Sequence, residues 1–256
     1  MSTRIDRKGG DPTPVTPSLL RDWPLPAPGE DKYSRGTVLV IGGGRTTPGA
    51  AVLAGTAALR AGAGKLTLAV AESVAVQVGV ALPECGAMGL PENANGSVTG
   101  EGLDRISSAL DRADTILVGP GLDDLDLAEE LLRRLLEREH SADMSEVASR
   151  PAIVVDAYAL AGLPKLEERL EPLRGRLILT PNMHEAEILL GRGLKDLESD
   201  VMSIARRFDA VVSCQGVIAG SPGDGSGNAE RWRITTGYGG LGTSGSGDVL
   251  AGAIAG

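Results

Sequence analysis

The chain has 256 residues, 42% hydrophobic and 23% charged, with 36 glycines but only one Phe, two Trp and three Tyr, so its core must be packed from Ala, Val, Leu and Ile. A formal net charge of -9 without any run of Lys or Arg excludes a basic surface for nucleic acid or anionic lipid. Two unpatterned cysteines, Cys85 and Cys214, exclude a disulfide framework and a zinc cluster.

The N-terminus, Met1-Ser-Thr-Arg-Ile-Asp-Arg-Lys8, lacks an apolar signal region, and the Ala/Val-rich span 50–80 is interrupted by Arg60, Lys65 and Glu72. A cytoplasmic location is the expectation. Residues 1–35 are polar and proline-rich and read as a leader lying over the domain, anchored by Leu19, Leu20 and Trp23; the domain proper is expected over 36–256. From Gly36 the pattern changes. Thr37-Val-Leu-Val-Ile41 is a strand buried on both faces, ending in Gly42-Gly43-Gly44. Pro48 suits the first turn of a helix over 49–62, and Lys65–Val70 is the next strand, which completes a βαβ unit. A helix is expected at 72–81, a strand at 84–90, a helix at 103–112 and a buried strand at 114–118 that runs into Gly119-Pro-Gly-Leu122. Residues 126–140 form an amphipathic helix with leucines at 127, 131, 132, 135 and 136. After a polar connection at 141–150 come a strand at 152–155, a helix opened by Asp156, a strand at 176–179 and a helix opened by Thr180-Pro-Asn-Met-His-Glu185. Strands at 210–213, 216–219 and 231–236 follow, the last across a polar loop at 221–230. Strand after strand ends in a Gly-, Asp- or Pro-bearing loop, and the carboxyl edge of such a sheet is where ligands bind.

The last twenty residues, Gly237 to Gly256, alternate glycine with small or apolar residues around one carboxylate, Asp248. Glycine permits the φ > 0 turns and close approach that side chains block. A helix starting near Ser246 would aim its free N–H groups and positive dipole end into that loop, which is a phosphate site. A carboxylate beside bound phosphate must handle a proton or hold a cation, and a base for a phosphate-accepting hydroxyl fits both demands. The alternative is an Asp in the first turn of an ordinary helix after a flexible linker.

Other motifs carry less. Gly42–Gly49 does not match G-x-G-x-x-G, and no acidic residue ends the second strand, which argues against a nicotinamide dehydrogenase. Asp156 either binds a cation or, by default, caps the helix it opens. Glu185 and Glu187 face different sides of their helix. His140 ends an exposed helix; His184 lies in the Thr180-Pro loop, within possible reach of ligand. Neither a Ser-His-Asp set nor a His/Cys metal cluster is present in the pattern.

Taken together, Val38-Leu-Val-Ile-Gly-Gly43 with Pro48-Gly-Ala50, Ala57-Ala-Leu-Arg-Ala-Gly-Ala-Gly64, Gly119-Pro-Gly-Leu122, Asp156-Ala157, Thr180-Pro-Asn182 with Glu185, and Gly240-Leu-Gly-Thr-Ser-Gly-Ser-Gly-Asp-Val-Leu-Ala-Gly252 resemble the ADP- or ATP-dependent NAD(P)H-hydrate dehydratases of the ribokinase-like superfamily. The resemblance runs from about Leu19 to the end. It implies a ribokinase-like three-layer α/β sandwich and a repair lyase that uses ADP or ATP with Mg²⁺ to remove water from hydrated NADH or NADPH through a phosphorylated intermediate. By motif position, Ala50, Gly121, Asn182 and Asp248 would line the hydrated dinucleotide; Gln215, Gly216, Gly245, Ser246 and Gly247 the adenine nucleotide. Asp248 would be the base, and Mg²⁺ would bridge the nucleotide phosphates. A homo-oligomer is also implied. The chain departs from the family where many members have His at the position of Asn182 and Lys-Gly in place of Gln215-Gly216. Members also continue beyond the Gly-Asp helix, so further helices are expected past Gly256. A kinase of a small hydroxymethyl compound and a non-catalytic nucleotide-binding homologue are the alternatives.

Overall fold

In the computed structural model, which describes residues 11–23, 25, 29–141, 150–221, 230–237 and 239–256, the chain is organised around one mixed sheet. Its strands are β1 (Thr13–Pro14), β2 (Thr37–Ile41), β3 (Lys65–Ala71), β4 (Gly86–Leu90), β5 (Thr115–Val118), β6 (Ala152–Val155), β7 (Leu177–Leu179), β8 (Ala210–Cys214), β9 (Val217–Gly220) and β10 (Arg231–Arg233). The order is β1-β10-β9-β8-β7-β6-β5-β2-β3-β4. Strands β2 to β8 are mutually parallel, β9 is antiparallel to both neighbours, and β1 pairs parallel with β10.

Both faces of the parallel strands are covered, as their continuous apolar runs require. Leu39, Ile41, Ile116, Val118, Ile153 and Val155 pack on one side beneath α5 (Leu125–Ser141), α6 (Met183–Leu190) and α7 (Leu197–Phe208). Val38, Val40, Leu117 and Val154 pack on the other, beneath α2 (Pro48–Ala61), α3 (Ala75–Ala81) and α8 (Ser246–Ala255). The result is the expected three-layer α/β arrangement. The buried stripe of α5 is Leu131, Leu132, Leu135 and Leu136, as its leucine spacing predicts.

Several elements differ from expectation. The 103–112 helix divides into a 3-10 turn at Leu103–Ile106 and a short α4 (Ser107–Leu110), and a 3-10 turn at Glu72–Val74 precedes α3. Helix α7, absent from the sequence reading, is capped by the Asp196 side chain, which accepts from the Ser199 N–H at 3.0 Å, and buries Val201, Ile204, Ala205 and Phe208 at helical spacing. In the leader, α1 (Pro17–Asp22) buries no residue; Leu20 and Trp23 are more than half exposed. Of the expected anchors Trp23 reaches the sheet, its ring 6.0 Å from that of Trp232, and further contact comes from pairing of Thr13 and Pro14 with Trp232 and Arg233. The expected connection at 141–150 and polar loop at 221–230 fall largely outside the described residues.

Helices α2 and α8 approach backbone to backbone. A Cβ added at Gly252 would overlap the Ala54 carbonyl, and one at Gly256 the Ala58 carbonyl, one turn further along both helices. On its other side α2 meets the sheet, where a Cβ at Gly55 would lie 2.8 Å from Leu66 and Leu68. Small residues therefore fix how α8, and Asp248 on its first turn, is held. Gly252→Ala is expected to destabilise the protein by about 1–3 kcal/mol through overpacking. Gly247→Ala, whose Cβ would meet nothing within 4 Å, should stay within about 0.5 kcal/mol of the parent. Urea unfolding of both variants checks this; equal stabilities would show that the α2–α8 contact is slack.

Candidate active site

Strand order reverses direction between β2 and β5, so the loops leaving these two strands flank the switch point of the sheet, where a crevice opens at the carboxyl edge. These loops are 42–44 and 119–121. Gly43 N–H donates to Pro120 O, Gly44 N–H to Gly121 O, and the Thr47 hydroxyl to Gly121 O, each at 2.8 Å. A side chain at Gly119 would overlap the Asp156 carbonyl, and Gly121, with φ 73°, lies against Thr47 and Ala50. Ala50 and Gly121, 71 positions apart in sequence, are thus neighbours. The first loop is braced from outside. Arg45 N–H donates to Gly96 O at 2.9 Å, and its guanidinium pairs with Glu92, which also accepts from the Ser73 hydroxyl at 2.8 Å. The Arg45 hydrogen bond holds the Glu92 carboxyl below its ordinary pKa.

The next two strands deliver Asp156 and Thr180 to the same edge. Asp156 is 5% exposed and accepts the Thr180 hydroxyl at 2.8 Å. Its side chain makes no helix cap, which corrects the default reading from sequence. The chain following it is also not an α-helix. Residues Ala157–Arg169 form a 3-10 segment that contains Pro164 and begins with Ala157 at φ 52°, a left-handed conformation costly for a residue with a Cβ. Burial raises the Asp156 pKa from 3.8 to about 6, against the hydrogen bond from Thr180, and the charges of Glu185 and Asp248 add to the rise.

Asn182 opens α6 through a capping box. Its side-chain oxygen accepts Glu185 N–H at 2.9 Å, and Glu185 Oε2 accepts Asn182 N–H at 2.8 Å. The Asn182 oxygen is therefore committed and its NH₂ group remains a donor. Burial raises the Glu185 pKa, whereas Glu187 turns away to accept Leu194 N–H at 3.2 Å.

At the start of α8, Gly245 has φ 86° and no side chain caps the helix. Ser246 N–H donates to Thr243 O at 3.2 Å, and the helix N-terminus with its dipole is the kind of end that attracts an anion. Added Cβ atoms at Gly237, Gly239 and Gly240 ahead of α8, and at Gly247 in its first turn, would meet nothing within 4 Å, whereas one at Gly245 would lie 2.6 Å from Leu53. Asp248 is half-buried in that first turn, and burial raises its pKa. Gln215 and Gly216, with φ 48° and 80°, are the two-residue turn of the β8–β9 hairpin, and Gly216 O accepts Ile234 N–H at 2.7 Å. That bond ties the hairpin tip to the segment entering the glycine-rich loop. Cys214 beside the turn is buried; burial, with the Glu185 charge, pushes its thiol up to about 11, so it remains protonated and is no nucleophile.

Neither histidine joins this group. His184 lies exposed on α6, 3.8 Å from Glu187, and His140 lines a groove of about 350 Å³ with Leu136, Glu137, Ser141 and Arg169, under the end of α5 remote from the crevice. Among the described residues no three His, Cys, Asp or Glu side chains are grouped to hold a metal ion. No helix among them is long and apolar enough to cross a membrane.

A doubly covered parallel sheet with a glycine-rich loop feeding a helix N-terminus at its switch-point edge defines a ribokinase-like α/β protein. Its fold matches a ribokinase-like superfamily protein of Enterococcus faecalis, with TM-score 0.72 at 20% identity over 95% of this chain and 78% of that one. The family model described as NAD(P)H-hydrate dehydratase matches residues 38–256, and the chain belongs to that family. It is 39% identical over 249 residues to the ADP-dependent (S)-NAD(P)H-hydrate dehydratase of Xanthomonas campestris, covering 94% of this chain and 78% of that one. A crystal structure of the ADP/ATP-dependent NAD(P)H-hydrate dehydratase of Bacillus subtilis, obtained with ATP and Mg²⁺ and soaked with CoA, is similar at TM-score 0.64 and 25% identity, over 96% of this chain and 80% of that one. The chain spans 40% of the length of a bifunctional NAD(P)H-hydrate repair enzyme from Moorella thermoacetica, at 37% identity.

The Asp156 carboxylate makes stability depend on pH. Its pKa is higher folded than unfolded, so between about pH 4 and 6 the folded state binds more protons, and unfolding free energy falls as pH rises through that window. The loss, at most ~3 kcal/mol, is complete above pH 7. Asp156→Asn, which keeps an acceptor for Thr180, should therefore melt higher than the parent at pH 8 and close to it at pH 4. Thermal melts at the two pH values test this; an equal difference at both would refute the charge penalty.

Proposed function

We propose that this protein is a nucleotide-dependent dehydratase that converts hydrated NADH or NADPH back to the reduced coenzyme, working in the cytoplasm as a homo-oligomer with its catalytic domain over 36–256. The observation that carries the reading is the position of Asp248: a half-buried carboxylate with a raised pKa, in the first turn of a helix that no side chain caps, next to Gly247, beside which the space is open. A base beside an anion site is what phosphorylation of a hydroxyl requires.

In this reading the hydrate lies between Ala50, Gly121, Asn182 and Asp248, and ADP or ATP between Gln215, Gly216 and the Gly245-Ser246-Gly247 turn. Asp248 takes the proton of the ring hydroxyl as its oxygen attacks the terminal phosphoryl group. The first-turn amides stabilise charge on that group in transit. The ring nitrogen then expels phosphate, and loss of a proton from C5 restores the double bond. Asn182, its oxygen held by the capping box, contributes only as a hydrogen-bond donor.

Mg²⁺ bound to the nucleotide would neutralise phosphate charge. The described residues offer no grouped ligands for it, so it would be carried on the nucleotide phosphates, and no step is derived through it. The family match and the 39% identical relative favour the dehydratase over a kinase on the same fold.

The expected result is recovery of the near-ultraviolet absorbance of the reduced nicotinamide when the protein meets hydrated NADH, Mg²⁺ and ADP or ATP, with inorganic phosphate released in equal amount. Asp248→Asn should lower the rate by about 10²-fold or more. A stable phosphorylated product in place of phosphate would indicate the kinase; nucleotide binding without turnover by folded protein would indicate a non-catalytic homologue.

A further inference from the structure

Both substrates of the proposed reaction carry phosphate charge, and the edge that would receive them holds more acids than bases. The loops leaving the parallel strands β2 to β8 are 42–47, 91–102, 119–124, 156, 180–182 and 215–216, with β3 running directly into a 3-10 turn, and the segment entering α8 is 234–245. In sequence these carry Glu92, Glu101, Asp123, Asp124 and Asp156, but no Lys and a single Arg, Arg45.

Arg45 is held in place by the chain around it. Its N–H donates to Gly96 O at 2.9 Å, and a Cβ at Gly96, whose φ is 90°, would overlap the Arg45 side chain, so backbone and stem are fixed against the segment that follows β4. Its Nε–H donates to Glu92 Oε1 at 3.1 Å, one terminal nitrogen pairs with the same carboxylate, and the other donates to Ala94 O at 3.3 Å. Of the five N–H donors of a guanidinium, one on each terminal nitrogen is left without an acceptor among the described residues. The brace lies deeper than the group it holds, the Glu92 side chain being 7% exposed and that of Arg45 44%. A planar fork fixed on one side, with an unused N–H on each tip, matches two oxygens of a phosphate.

Position in the sheet decides between the two substrates. The order β8-β7-β6-β5-β2 puts four strand spacings, about 19 Å, between the strand that ends at the Gln215-Gly216 turn and the strand that leads to Arg45. The Arg45 side chain extends further from that turn, toward Ser73 after β3 and Glu92 after β4. Its loop also carries Thr47, whose hydroxyl holds Gly121 O, and leads into the helix turn with Ala50. The substrate on this side is the hydrated coenzyme, with ADP or ATP on the other.

We propose that Arg45 binds a phosphate of the hydrated dinucleotide and so sets its affinity, a contact that rests on the dehydratase reading above. The phosphate belongs to the pyrophosphate bridge or is the 2′-phosphate of the NADPH form, two sources of one chemistry that binding separates.

The test is equilibrium binding of hydrated NADH and hydrated NADPH to the full chain without ADP or ATP, so that nothing turns over. The proteins are the parent, Arg45→Gln, Glu92→Gln and Arg105→Gln, each shown by circular dichroism to be folded. Arg105, paired with Glu72 at 3.0 Å just after the 91–102 loop, controls for general loss of positive charge. Arg45→Gln should weaken binding by about tenfold or more. Added salt should cost the parent more affinity than it costs this variant. Glu92→Gln keeps the cation and Arg105→Gln keeps the fork, so both should bind within about threefold of the parent. A loss with both hydrates assigns the contact to the pyrophosphate, and a loss with hydrated NADPH alone assigns it to the 2′-phosphate. Parental affinity of Arg45→Gln for both hydrates, or an equal loss in Glu92→Gln or Arg105→Gln, would overturn this inference alone. A parent that binds neither hydrate would instead remove the dehydratase reading on which it rests.

Discussion

The site depends on backbones approaching more closely than side chains allow. At the switch point, the 42–44 and 119–121 loops exchange hydrogen bonds directly, and Gly119 lies flat on the Asp156 carbonyl. Behind them Gly252 and Gly256 let α8 rest on the carbonyls of Ala54 and Ala58. Helix α2 links the two contacts, since it leaves the first loop at Pro48 and receives α8 along its length. The relation between Ala50 at its start and Asp248 on α8 is therefore set by main-chain packing, which has few rotamers to vary. This explains why so glycine-rich a chain with so few aromatic residues can hold a site steady: the interior is close-packed by small groups rather than filled by large ones.

Glycine plays two opposite parts at this edge. At Gly43, Gly119 and Gly121 the missing Cβ is occupied by a neighbouring piece of chain, and the backbone is locked. At Gly237, Gly239, Gly240 and Gly247 the space is open. The first kind builds the wall, and the second leaves room beside the chain. Composition makes the two indistinguishable, and only the neighbours separate them.

Much of the architecture was legible because buried parallel strands announce themselves as β-branched runs and α5 as a leucine stripe. The carboxyl-edge loops followed from where those runs end. What could not be read were contacts between distant segments and local conformations that contradict local pattern. Asp156 before Ala-Tyr-Ala-Leu160 looks like a helix cap; in the fold Thr180, 24 positions away, takes the carboxylate, and Pro164 with the left-handed Ala157 keeps the segment out of α-helix. The pairing of Thr13 and Pro14 with β10 is equally invisible to periodicity, since a two-residue strand has no period. Helix α7 was different: Asp196 and the Val201, Ile204, Ala205, Phe208 spacing were there to be seen.

Disagreement between local rule and global fold is concentrated at this edge. Of the non-glycine residues described with positive φ, Asp209 ends α7 as a left-handed cap, an ordinary helix stop. Gln215 is the first residue of the two-residue β8–β9 turn, where positive φ at both positions is ordinary, so Ala157 alone lacks such a reason, and it sits where β6 delivers the chain to the crevice. The acids repeat the pattern, because Asp156, Glu185 and Asp248 are all pushed toward the protonated form mainly by burial. A chain selected only for stability would relieve such strain with a Gly at 157 and an amide at 156. Both costs fall on two consecutive residues, at the junction of the loops carrying Gly121 and Asn182, so the least relaxed point of this edge is also where its loops are joined.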